Sequence, residues 1–423
     1  MMPLSPAEKF REFKDRILFD CLEPEGRSFF KRICLRYAWT YQEMKQLAEM
    51  ARDLEMWRTS SFREIWDDLE TRVPERKEAH ERKKFLFDAF RERLNELRRV
   101  PKKYPAKPVR DRRETKRLSM RNTEGPVFGD CPVASPKTVC CCLKTIDAVE
   151  NCPYGCSYCT IQTFYGKRVV FRTGLKAALH KIRLIPGRFY HFGTGQSSDS
   201  LVWGNRYGML DDLCAFAAAH PDILLEFKTK SANIAYFLKT QVPRNVVCSW
   251  SLNPETIIRH EEPGTAGLCE RLEAAERVAA RGMKVAFHFH PIVYYEGWMR
   301  DYESLAAKVL EKFHPREVLF ISFGTVTFIK PVLRAIRERG GFSKILQMEM
   351  VPDPHGKLTY PASVKLELFG GLVDAFAPWK DRVYQYLCME DAYYWDRIFG
   401  RHYPSNEAFE ADFGRQVMRK IRE

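Results

Sequence analysis

The chain is expected to fold as an α/β protein, a partial (β/α)6 barrel preceded by a helical accessory domain. Three observations lead there. Beyond residue 131, short β-rich runs alternate with helical segments six times, the signature of a parallel sheet covered by helices. A cysteine triplet, Cys152-x3-Cys156-x2-Cys159, follows the first of those runs. Residues 1–100 show helical spacing instead and carry no visible chemistry.

Composition bounds the remaining choices. The chain has 423 residues, 69 Lys and Arg against 55 Asp and Glu, and a net charge of +14. Hydrophobic residues make up 45%, enough for one or two proper cores and too many for a disordered chain, and the length suggests two or three domains. The opening MMPLSPAEKFREFKDR turns charged at once, so no secretory leader is expected. No run reaches the ~20 apolar residues of a membrane helix, and a cytoplasmic location is expected. Thirteen cysteines, an odd number, argue against a full disulfide framework. The seven outside the two clusters are expected to be mostly small buried hydrophobes.

In the helical domain (1–100), Tyr41–Trp57 places Met44, Leu47, Ala48, Ala51, Leu54 and Trp57 on one face. Glu75–Arg99 reads as a long charged helix with Phe85, Phe87, Phe90 and Leu94 on its apolar side. A basic linker (101–130) follows. Between Arg91 and Arg121 thirteen Lys and Arg face four Asp and Glu, and Pro101, Pro105 and Pro108 break any helix there. This stretch is either a solvated linker or an arm that follows a phosphate backbone.

The barrel (131–345) is built from strands at Thr145–Val149, Phe189–Phe192, Ile223–Phe227, Val246–Ser251, Val285–His290 and Val318–Ser322. Helices are expected at Leu175–Leu184, Met209–Ala219, Asn233–Leu238, Ala266–Ala280, Tyr302–Phe313 and Pro331–Arg339. In such a barrel the site lies at the C-terminal ends of the strands. Residues 346–423 are expected to form a hairpin at Pro352–Tyr360 and an aromatic-rich region that closes the open side.

The cysteine triplet has the spacing to hold three irons of a [4Fe-4S] cluster, leaving the fourth iron open. S-adenosyl-L-methionine suits that open iron through its amino and carboxylate groups, which makes this a radical-SAM barrel. The alternative is a zinc knuckle with a fourth ligand from the run Cys140–Cys142. Gly193, Gly195, Gln196, Ser198 and Asp199 follow the second strand. Lys230 and Ser251 sit at equivalent places after the third and fourth. Their common register points to cofactor contacts. One of the alternating pairs His288/His290 and Phe287/Phe289 faces the interior, and His290 is either a pocket residue or a core histidine.

The stretches CPYGCSYC, GTGQSSDS, FKTKS, SWSLNPE, HEEPGTAGLCERLEAAERVAARG and FHFHPIVYYEGW resemble the spore photoproduct lyase family of radical-SAM DNA repair enzymes. The similarity spans about Thr145 to Trp298, weaker to about Tyr360, and leaves the helical domain outside. It implies a partial barrel that binds a [4Fe-4S] cluster and S-adenosylmethionine and returns a thymine-dimer lesion in DNA to two thymines. It further implies Cys152, Cys156 and Cys159 as cluster ligands, and Ser198, Asp199, Lys230 and Ser251 as cofactor contacts. DNA is the implied partner, reached through residues 91–121, with an electron donor such as flavodoxin or ferredoxin. Two positions depart from the family's pattern. Gln196 stands where the lyases carry a hydrogen-donating cysteine, and Thr160 where a tyrosine follows the third cluster cysteine. Tyr158 and Cys141 are then the candidate hydrogen donors, and Gln196 a candidate for the cofactor amino group. His290, Tyr294, Lys357 and Tyr360 are the candidate substrate contacts. Other readings are a radical-SAM enzyme for another base, RNA or a small molecule, and a non-catalytic iron–sulfur or zinc nucleic-acid-binding protein.

Overall fold

The structure is a computed structural model that describes residues 4–75, 78–107, 109, 116–122, 127–131 and 137–423. Contacts divide the chain into two compact units, 1–112 with 328–351, and 113–327 with 352–423.

The first unit is helical because its sequence carries both caps and stripes. Ser5, Thr40 and Ser61 each form a reciprocal capping box with a glutamate three residues on. Helix Tyr41–Trp57 has the expected bounds and buries Met44, Leu47, Ala48, Ala51, Leu54 and Trp57. Helix Ala79–Arg99 buries Leu86, Phe87, Phe90 and Leu94, so Leu86 takes the place expected of Phe85. Trp39, Phe62, Trp66, Phe87 and Phe90 form one aromatic cluster. Asp53, fully buried, is held by Arg98 at 2.9 Å and Arg337 at 2.8 Å. Buried charge needs such pairing, and here it ties helix Lys330–Arg339 to the N-terminal helices.

The second unit is built on an eight-stranded sheet. We number its strands β1 (Phe128–Asp130), β2 (Lys144–Ile146), β3 (Tyr190–Gly193), β4 (Ile223–Thr229), β5 (Val246–Ser251), β6 (Lys284–Ile292), β7 (Val318–Thr325) and β8 (Tyr384–Leu387). They lie in the order β8-β7-β6-β5-β4-β3-β2-β1, with only β1 antiparallel to its neighbour. Strands β2 to β7 are the six expected from the sequence, and the sheet curls into a partial barrel. The burial of β4, β5 and β7 is nearly continuous, as for strands covered on both faces.

Three expectations are corrected. The first strand stops at Ile146, and Val149–Glu150 joins a separate sheet with Arg168–Thr173 and Arg117–Asn122. The stretch expected as linker therefore includes two strands, although residues 108, 110–115 and 123–126 lie outside the described residues. Within the basic stretch Lys102 is buried, and the Lys116 ammonium is spent on Asn151 Oδ1 (2.8 Å) and the Cys152 carbonyl (2.7 Å). Helix Leu175–Leu179 is shorter than expected.

On the β8 side, the Val139 N–H donates to the Glu390 carbonyl at 2.9 Å and the Cys140 N–H to Asn406 Oδ1 at 2.8 Å. The segment carrying Cys140–Cys142 thus leads from the β8 end of the sheet to β2 near its other end. Phe413 of helix Asn406–Arg422 packs on Phe320, Tyr386 and His191. Among the described residues no helix is long and apolar enough to cross a membrane.

Candidate active site

The cysteine loop begins at Asn151, whose φ of +70° is one that asparagine tolerates. Its Oδ1 accepts from the Cys152 N–H at 2.9 Å, and its Nδ2 donates to the Gly166 and Arg168 carbonyls at 2.5 and 3.2 Å. The loop then turns back, with the Cys159 N–H on the Cys156 carbonyl at 3.2 Å. Cys152 and Cys156 are buried and Cys159 is half-buried. Burial pushes the Cys152 thiol up to about 12 and Cys156 up as well. Such thiols become thiolates only beside a compensating positive charge, which iron supplies. Three cysteines on one loop fit the ligand set of a cluster with an open iron. Among the described residues, no three His, Cys, Asp or Glu side chains gather closely enough to hold a single ion.

A second segment docks this loop. The Ser157 N–H donates to the Glu261 carbonyl at 2.8 Å and the Ser157 hydroxyl to the Glu261 carboxylate. The Tyr158 hydroxyl donates to Glu262, and the Gly155 N–H to the Pro263 carbonyl at 3.3 Å. Glu262 is anchored by Arg271 at 2.5 Å and Asn253 at 2.8 Å. Arg271 also donates to the Ser251 carbonyl at 2.8 Å, which links the loop to the end of β5. Burial and Glu262 push the Tyr158 phenol up. The O–H of this candidate hydrogen donor is engaged as an anchor by Glu262. Sequence reasoning gave Glu261, Glu262 and Arg271 no role, although the stretch HEEPGTAGLCER that carries part of the resemblance contains all three.

The loop after β3 is held by Asp199. Its buried carboxylate accepts from the backbone of Leu201 (3.0 Å), Val202 (2.9 Å) and Lys230 (2.6 Å) and from Thr229 Oγ1 (2.8 Å). Burial still raises its carboxyl above the usual range. With four protein donors, Asp199 shapes the site rather than reaching into it. Ser198 accepts from Trp203 Nε1 at 3.3 Å. The glycines answer to protein as well: a Cβ on Gly195 would lie 2.7 Å from Lys228 Cβ and 3.0 Å from its carbonyl, and one on Gly193 3.1 Å from Leu143. They permit close strand packing, where the sequence suggested close approach to a ligand.

Three polar ends are left over. The Gln196 amide and the Ser251 hydroxyl make no hydrogen bond among the described residues, and Gln196 is half-buried. The Lys230 ammonium lies 5.7 Å from the Tyr158 ring centroid, facing Cys156. These are the groups left available to a ligand, with Lys230 beside the cysteine loop.

His288 and His290 face the interior, on the side of Glu226 and Ser322, while Phe287 packs on Phe313 and Phe289 on Phe323. Tyr360 is buried and its hydroxyl accepts the Tyr294 N–H at 3.1 Å. This corrects its expected role: a buried ring with an occupied hydroxyl is packing, not a DNA contact. Tyr294 is half-buried beside Trp298. Lys357 lies in the expected turn, which Asp353 closes by accepting the Lys357 and His355 N–H groups at 2.8 Å. The Cys141 thiol is buried, free, and hydrogen-bonded to the Cys140 thiol. That bond brings the Cys140 thiol down to about 7, while Cys141 is pushed up. Of the scattered cysteines, Cys34, Cys214 and Cys248 are buried and Cys269 is exposed.

A family model described as spore photoproduct lyase matches residues 144–353. The chain is 26% identical over 180 residues to the spore photoproduct lyase of Clostridium acetobutylicum, covering 41% of this chain and 53% of that one. It is also 26% identical over 253 residues to that of Bacillus subtilis, covering 58% and 71%. The chain thus spans little more than half the length of the Clostridium relative and 59% of a Geobacillus one. A solved spore photoproduct lyase variant with bound AdoMet and dinucleoside spore photoproduct superposes with a TM-score of 0.55 at 23% identity, over 63% of this chain and 81% of that one. That likeness shows a shared fold.

Proposed function

Because the chain belongs to the spore photoproduct lyase family, we propose that it is a radical-SAM enzyme that reverses a thymine-dimer lesion in DNA. One observation carries the proposal. Cys152, Cys156 and Cys159 share a loop docked on Glu261 and Glu262, and the Lys230 ammonium stands beside it. A [4Fe-4S] cluster with S-adenosylmethionine would supply a 5′-deoxyadenosyl radical on one-electron reduction.

The chain's own residues do the rest. Arg271 and Glu262 fix the cysteine loop, so the three thiolates are presented without reorganisation. Gln196, Lys230 and the Ser251 hydroxyl are the groups offered to the amino, carboxylate and ribose oxygens of the cofactor. Asp199 holds the backbone that carries Lys230. His290, with Tyr294 at the rim, faces the substrate base. The exposed Arg117 is offered as a phosphate contact, beside the exposed Arg121, which also pairs with Glu150 at 3.2 Å. The reductant would be a small one-electron carrier such as flavodoxin or ferredoxin.

One observation favours a second reading. Gln196 cannot return a hydrogen atom as a thiol does, and its amide is free. The barrel then serves another modified base, with Gln196 on the cofactor amino group.

The test is anaerobic. The reconstituted, reduced protein is given S-adenosylmethionine and dinucleoside spore photoproduct, and 5′-deoxyadenosine and thymine products are quantified. Thymidine appearing as the dimer disappears supports lesion reversal. 5′-Deoxyadenosine with the dimer intact retires it in favour of the second reading.

A further inference from the structure

Five strands contribute to one hydrogen-bonded chain inside the barrel. Glu226 of β4 meets His191 Nε2 of β3 at 2.9 Å through Oε2. Through Oε1 it accepts from Ser249 of β5 at 2.5 Å and meets His288 Nε2 of β6. His288 Nδ1 meets Ser322 Oγ of β7 at 2.6 Å, and Ser322 Oγ meets His290 Nε2 at 2.9 Å. Glu226, Ser249 and Ser322 have no exposure at all.

The direction of every bond follows from one end. A carboxylate only accepts, so His288 Nε2 carries its hydrogen. Lys228, on the same strand and half-buried, already balances the Glu226 charge. A cation on His288 would be a surplus buried charge, and burial brings that imidazole down to about 4. Neutral His288 therefore accepts at Nδ1. Ser322 has a single hydrogen, which goes to His288, so Ser322 can only accept from His290. His290 then carries its hydrogen on Nε2, and its Nδ1 is a bare lone pair.

That lone pair has room. His290 is half-buried where His288 is closed off, and Nδ1 has no partner among the described residues. Gly324 opposite leaves space for the ring, since a Cβ there would lie 3.2 Å from it. Lys230, among the free groups beside the cysteine loop, faces the same imidazole.

We propose that His290 Nδ1 is the acceptor that selects an imide N–H of the substrate base, admitting thymine- and uracil-type rings and rejecting cytosine-type rings, whose N3 is itself an acceptor. This rests on the lesion reading and names the atom that enforces it. An unmatched acceptor pair in a dry pocket forfeits a hydrogen bond and leaves both groups unpaired.

The experiment measures binding of dinucleoside spore photoproduct, and of its N3-methylated form, to the reconstituted full chain. Methylation is expected to weaken wild-type binding by about tenfold or more. His290→Phe should weaken binding of the unmethylated ligand by a similar factor and show no further methylation penalty. His290→Asn, whose amide oxygen lies near the Nδ1 position, should recover most of the affinity. A methylation penalty that persists in H290F, or wild-type affinity in H290F, overturns the proposal. Independently of any ligand, long-range proton–nitrogen spectra of histidine-labelled protein should show His290 protonated on Nε2 alone, and Ser322→Ala should release that preference. Protonation on Nδ1 in the wild type also overturns the proposal. Failure of the wild type to bind either dinucleotide overturns the lesion reading, and the proposal with it. That outcome is distinct from loss of the His290 effect alone.

Discussion

Glu262 and Arg271 meet at 2.5 Å with neither side chain exposed, and through this pair the cysteine loop is fastened to the end of β5. Replacing Arg271 by Met would leave a carboxylate buried with only Tyr158 and Asn253 as donors. Such a loss typically costs about 3–5 kcal/mol. We expect a lower urea midpoint and less iron per chain after reconstitution. The double variant Glu262→Gln/Arg271→Met should recover part of the stability, since no unpaired charge remains. Equal instability of single and double variants would refute the argument.

Iron should depend on three cysteines and no others. Alanine at Cys152, Cys156 or Cys159 is expected to abolish the visible absorbance of the reconstituted protein and its cleavage of S-adenosylmethionine. Alanine at Cys140, Cys141 or Cys142 should leave both in place, because that segment is anchored on Glu390 and Asn406. Loss of metal in C141A would restore the four-ligand zinc arrangement.

Gly195 is required by a neighbour rather than a ligand. In Gly195→Ala the new methyl would lie 2.7 Å from Lys228 Cβ and 3.0 Å from its carbonyl oxygen. The β3 loop must shift, at a cost of about 1–3 kcal/mol. Both thermal stability and S-adenosylmethionine affinity should fall. An unchanged melting temperature in G195A would show that the loop accommodates the methyl.

Acid should destabilise the barrel earlier than its carboxylates alone would. His288 is held down to about 4 from 6.5 by burial and by Lys228. Between those values the unfolded chain binds a proton that the folded chain refuses, so stability falls as pH drops from about 6.5 toward 4. The Glu226 carboxyl, held well below its usual range, adds to the loss at lower pH. His288→Gln keeps a donor for Glu226 and removes the titration. Its urea midpoint should vary less with pH across that window, and an identical pH profile would sink the assignment.

Much of the site was legible because its signals are local. Helix Met209–Ala219 and strand Val246–Ser251 have the expected bounds, since periodicity reports which face is buried. The cysteine loop was legible because cluster ligands must be close in sequence to share one turn. Arg117–Asn122 was not, because its exposed, charged side chains carry no apolar alternation and only backbone pairing with Arg168–Thr173 makes it a strand.

The sequence by itself determined the alternation of strands and helices, the cysteine triplet and the strand ends where polar residues gather. Only the tertiary structure decided which of those polar residues remain free. Ser157 and Tyr158 find Glu261 and Glu262 across 104 positions, and Asp199 is consumed by Thr229 and Lys230 about 30 residues away. Gln196 and Lys230 keep unengaged ends. The reason is that a buried polar group must find a partner wherever the fold brings one. A residue's availability to a ligand therefore depends on distant residues that no local pattern reveals.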